Sequence, residues 1–79
     1  PSLNERRDDI PVLVDQFLED ICSDYGIAKK NIDDDAIKLL KEYDWTGNIR
    51  ELRNVVERLV ILSAKTITDE DVTSYVMPR

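Results

Sequence analysis

The residues best placed to do chemistry lie in the run Trp45-Thr46-Gly47-Asn48-Ile49-Arg50-Glu51-Leu52. Asn48 is a favoured helix N-cap, and Glu51 stands three places later, where a capping box takes a carboxylate. That spacing puts Ile49, Arg50 and Glu51 in the first turn of a helix. A cation is ill suited to that position, because a helix start already carries partial positive charge; the cost is about 0.3–1 kcal/mol. A bound anion reverses the sign, since the guanidinium and the free backbone N–H groups would converge on it. The alternative is an ordinary surface arginine paired with Glu51 or another neighbour, an inexpensive arrangement.

Other chemistry is thinly represented. The chain has no histidine and a single cysteine, Cys22, which removes the usual zinc and thiol-nucleophile constellations. Cys22 reads as a small apolar filler, and its lack of a partner suits a reducing cytoplasm. No glycine-rich loop ends in Gly-Lys-Ser/Thr. Asp33-Asp34-Asp35 precedes a helical run and lacks the spaced oxygens and glycine of a calcium loop, so it reads as a cap with acidic first-turn residues. No metal site and no independent catalysis are expected.

Four helices are expected to position these groups, in an all-α small bundle. Ile10, Leu13, Val14, Phe17, Leu18 and Ile21 recur at the helical period after a start at Asp8 or Asp9, with Pro11 tolerated in the first turn and Gly26 as C-cap. Ala36, Ile37, Leu40 and Tyr43 give the second helix its apolar face, with Leu39 on the flank. The third carries Leu52, Val55, Val56, Leu59 and Leu62. A fourth, capped by Thr68 with Asp71, carries Val72, Tyr75 and Val76 and stops at Pro78. Trp45 is expected to plug the corner between helices two and three, rather than to stack on a ligand. Lys29 and Lys30 read as a solvated loop, and residues 1–7 as an extended connector.

At 79 residues this is one small domain with a modest core, hiding about 60% of its unfolded surface. The net charge of −6 argues against a surface built for nucleic acid or anionic membrane. No apolar run approaches the about 18 residues of a membrane span, and no leader pattern is present. Asn48 to Arg58 could still serve as the reading helix of a helix-turn-helix, with the acidic first helix and Asp33–Asp35 counting against it. A purely structural helical adaptor is a third reading.

The Trp45-to-Leu52 run, followed by Asn54-Val55-Val56-Glu57-Arg58, closely resembles the helical lid subdomain of AAA+ ATPases of the NtrC type, bacterial activators of sigma-54 RNA polymerase. Leu3-Asn4-Glu5-Arg6-Arg7-Asp8-Asp9-Ile10 is similar to the segment entering that lid, and Ile67 to Val72 fits its last helix. The resemblance covers nearly the whole chain. It implies a connector over residues 1–7, a lid over 8–79, and Arg50 as the sensor II arginine that reaches the γ-phosphate of ATP. It implies that Ile10, Asn48 and Ile49 lie near the cleft. ATP with Mg, arginine fingers and the polymerase-contacting loop would belong to a large α/β subdomain acting in cis. Ring neighbours and sigma-54 RNA polymerase are the implied partners, with no direct DNA or membrane binding by the lid. Two positions depart from the family pattern. Thr46 replaces a usual proline, and Asn4 replaces a common arginine.

Overall fold

The computed structural model describes residues 3–43, 45 and 49–76. Among them four α-helices form: α1 (Ile10–Asp24), α2 (Asp34–Glu42), α3 (Ile49–Leu62) and α4 (Asp69–Tyr75). Their order and apolar stripes follow the expected periodicity. Ile10, Val14, Leu18, Ile21 and Cys22 are buried on α1, and Leu13 and Phe17 pack against the same core. Ala36 and Leu40 anchor α2. The packing sets α1 against α3 and α2 against α4.

The entry segment differs from expectation. Leu3–Asp9 is a 3-10 helix, interrupted at Arg6 (φ −124°, ψ 34°), and not an extended strand. Charge pairing supports the winding, because Arg6 Nε donates to Asp9 Oδ2 at 3.1 Å. Asp9 therefore occupies the N-cap position of α1 without making a side-chain cap.

Helix ends are closed by a different device each time. At the end of α1, Gly26 takes φ +70°, a value that costs an L-residue about 1–2 kcal/mol. The turn lets Gly26 N donate to Ser23 O and Ile27 N to Cys22 O, both at 3.0 Å, the paired bonds of a Schellman motif. At the start of α4 the expected capping box is present: Asp71 N donates to Thr68 Oγ1 at 3.2 Å, and Thr68 N to Asp71 Oδ2 at 3.0 Å. Pro78 lies outside the described residues.

Lys30 is no solvated lysine. Its Nζ donates to Val60 O at 2.6 Å and Ser63 O at 2.8 Å. The last carbonyls of α3 lack intrahelical partners and carry the negative end of the helix dipole, so a cation belongs there. Val60 is buried beside this contact, whereas Leu62, expected in the core stripe, stays 49% exposed as the final residue of the helix.

A two-residue parallel bridge joins β1 (Asn31–Ile32) to β2 (Thr66–Ile67), with Asn31 opposite Thr66 and Ile32 opposite Ile67. Asp33 N extends it by donating to Ile67 O at 2.9 Å. The bridge aligns the starts of α2 and α4 and buries Ile67 completely.

Trp45 is the largest fully buried side chain. Its indole Nε1 donates to Leu40 O at 2.9 Å, and its ring meets Tyr43 edge-on at 4.7 Å between centroids. It plugs the corner after α2, and so little of the ring is open that it cannot stack on a ligand.

Two substitutions test this account by urea unfolding of the chain. Trp45→Ala should cost about 3–5 kcal/mol. Lys30→Met, which keeps the stem and removes the charge, should cost about 1 kcal/mol. An unchanged midpoint for Lys30→Met would mean that water serves the α3 carbonyls equally well.

Candidate functional site

The first turn of α3 is fixed from one side. Leu52 is fully buried and Ile49 is half-buried against the core. At about 100° per residue these two share a face, so Arg50 must project away from it. Arg50 is accordingly exposed. Asn48, expected to cap this turn, lies outside the described residues, as does Thr46. Ile10 is entirely buried. It serves the core and offers no open face to a ligand, while Ile49 keeps an accessible edge.

The remaining arginines of α3 are engaged elsewhere. Arg53 approaches Asp24 at 3.9 Å and Glu57 at 4.0 Å. Arg58 Nη1 donates to Tyr75 O at 3.3 Å. Tyr25 Oη donates to Glu57 Oε2 at 2.7 Å, and this bond to a carboxylate raises the phenol above its usual pKa. The polar side of α3 thus ties it to the end of α1 and to α4. A DNA-reading helix would instead keep its arginines for phosphates and bases.

A hollow of about 450 Å³ lies between the start of α1 and α2, lined by Pro11, Asp34, Ile37, Lys38, Lys41 and Glu42. It contains none of the expected site residues. The candidate site is an exposed side chain in the first turn of a helix.

The profile of a family described as the AAA+ ATPase lid domain matches residues 4–79. The chain is an AAA+ ATPase lid domain.

This lid is 45% identical over 78 residues to the nitrogen assimilation regulatory protein NtrX of Azorhizobium caulinodans, covering 99% of the chain and 17% of that protein. It is 46% identical over 72 residues to the DNA-binding transcriptional regulator NtrC of Azospirillum brasilense, covering 91% of the chain and 15% of the relative. The crystal structure of NtrX from Brucella abortus in complex with ATP superposes with a TM-score of 0.81 at 41% identity, over 90% of the lid and 17% of that chain. The same protein has been solved with ADP. The lid therefore spans about one-sixth of the relatives it matches.

Sequence reasoning singled out Arg50 but missed Arg7, whose guanidinium reaches across to the end of α2. Its Nη1 donates to Tyr43 O at 3.0 Å and also to Lys41 O. An arginine in a charged run gives no local sign of such a contact, which spans more than thirty positions of chain.

Since Arg50 projects outward, Arg50→Ala should change the lid's own stability by less than about 1 kcal/mol. Chemical denaturation of the isolated lid checks this. A larger loss would make Arg50 a structural residue first.

Proposed function

We propose that this lid belongs to a sigma-54-dependent transcription activator and closes over ATP held by an α/β subdomain in the same chain. Arg50 acts as its γ-phosphate sensor. The observation that carries the reading is the exposed Arg50 on the first turn of α3, on the face away from buried Leu52 and half-buried Ile49. Similarity to an NtrX solved with ATP and with ADP supports the choice of ligand.

The fit to a polyphosphate is chemical. Arg50 presents five N–H donors on an obligate cation beside the positive end of a helix dipole. A charge-assisted hydrogen bond of this kind is worth about 1.5–3 kcal/mol. Arg50 holds the lid closed while the terminal phosphate is present. Once that acceptor leaves, the closing bond is lost and the lid is released. Ile49 would line the cleft with its open edge, and Asn48 would cap the helix that presents the arginine. Residues 1–7 connect the lid to the α/β subdomain, which supplies the phosphate loop, the Mg²⁺ ligands and the attacking water.

The lid alone performs no hydrolysis in this scheme, because it carries one contact to the nucleotide and no activating base. Its movement adjusts the geometry between neighbouring subunits of a ring, and that change is passed to sigma-54 RNA polymerase in the bacterial cytoplasm. The acidic balance and the engaged Arg53 and Arg58 leave DNA contact to other domains.

In the intact ATPase, Arg50→Ala should slow ATP turnover by roughly 10–100-fold, the equivalent of one charge-assisted bond. Steady-state phosphate release measures this. Unchanged turnover would remove the sensor role.

A further inference from the structure

The C-terminal end of α2 is a junction of three segments. Leu40 O accepts from the Trp45 indole at 2.9 Å. Lys41 O and Tyr43 O both accept from Arg7 Nη1, the latter at 3.0 Å. Tyr43 N closes back on Leu39 O at 3.0 Å, and the Tyr43 ring packs edge-on against Trp45. A weaker ion pair between Asp8 and Lys41, at 3.8 Å, lies alongside. The 3-10 entry segment is thereby fastened to the corner from which α3 and Arg50 emerge.

We infer that Arg7 is a positioning residue for Arg50: it locks the entry segment to the end of α2, so that the two move as one body with the Trp45 corner. The argument is one of helix-end chemistry. The last carbonyls of α2 have no intrahelical donor and sit at the negative end of the dipole. Arg7 Nη1 meets one of them, Lys41 O, and the Tyr43 carbonyl just beyond the helix from the same nitrogen. Arg7 is half-buried, which shields these bonds from water and salt. Trp45 reads the same helix end one carbonyl earlier and stands four residues before Ile49. Trp45 shares its buried cluster with Leu52 of α3, and Ile49 packs against the same cluster, so a rotation of the entry segment is delivered to the first turn of α3 through that packing.

This inference rests on the sensor role proposed for Arg50 only in its catalytic consequence. The mechanical link is independent of it, and the experiment has an arm for each. In the first arm, 15N–1H NMR spectra of the chain are recorded for Arg7→Gln and Arg7→Lys. Coupling requires that Arg7→Gln shift the Trp45 indole N–H and the amides of Ile49 and Arg50, while the Thr68–Asp71 capping box stays in place. Arg7→Lys should give a smaller shift in the same direction. Changes confined to residues 3–9, or spread evenly over the chain, would overturn the link.

The second arm measures ATP turnover of the intact ATPase in a double-mutant cycle. Arg7→Gln should lower turnover by about tenfold, the scale of a misplaced contact. Added to Arg50→Ala, it should cause little further loss, because both changes remove one interaction. Losses that multiply would assign Arg7 a separate structural role and overturn the positioning claim. If Arg50→Ala alone leaves turnover unchanged, the sensor reading fails, and the first arm decides Arg7 by itself. If Arg7→Gln does not fold, Arg7→Lys takes its place in the cycle, with a smaller loss and the same absence of multiplication required.

Discussion

The bond from the Trp45 indole to the Leu40 carbonyl is the constraint on which the lid's geometry depends. It joins the largest buried side chain to a carbonyl in the last turn of α2. A buried indole N–H without an acceptor would cost about 1–3 kcal/mol, and the α2 carbonyl needs a donor for the same reason. Each group answers the other's deficit, so the corner has one low-energy arrangement. Arg7 serves the same end of α2. Other helix ends are closed with different chemistry: Lys30 serves α3, a positive-φ glycine closes α1, and a reciprocal Thr68–Asp71 pair opens α4. A domain this small cannot rely on area burial alone, and closing helix ends with side chains from distant segments turns separate helices into one body.

What could be read from the sequence follows the range of the interaction. Helix stripes are local and repeat, so α1 and the run from Leu52 to Leu59 were legible. The Thr68–Asp71 box was legible too, because both partners lie within one turn. Trp45 was recognisable as a plug from its size and its place between two helices. Contacts that join remote parts of the chain left no trace. Lys30 and Arg7 look like solvated cations until the fold brings a helix C-terminus to each. The β1–β2 bridge is two residues long, too short for an alternating pattern. The entry segment was misread as extended because its 3-10 winding rests on the Arg6–Asp9 pair and on contact with α2, not on apolar periodicity. At the site, the stripe that begins at Leu52 was enough to put Arg50 on the polar side of α3. Ile10 gave no comparable guide: an isoleucine at a helix start suits a cleft wall and a core equally, and only burial separates the two.

Charge shows the same division between global and local. With a net charge of −6, the chain as a whole repels polyanions. Asp24 and Glu57, beside the middle of α3, pair with Arg53 and Tyr25. Screening at physiological salt acts over about 8 Å, so an anion at the start of α3 responds to Arg50 and the helix dipole more than to distant carboxylates. Under the proposed role, acidity elsewhere discourages nonspecific nucleic acid binding without weakening a short-range phosphate contact.

A single contact of this size can operate a lid only if little of its energy is lost in deformation. If the helix start frayed, or the corner beneath it flexed, the phosphate bond would be absorbed locally and the far side of the lid would not move. The buried stripe of α3, the Trp45 corner and the aligned starts of α2 and α4 oppose that loss, because packed cores shift as units and do not bend continuously. The rigid elements and the exposed arginine are therefore complementary requirements. Under the proposed sensor role, Arg50 supplies a contact made in one nucleotide state only, and the closed helix ends carry its loss into the packed core.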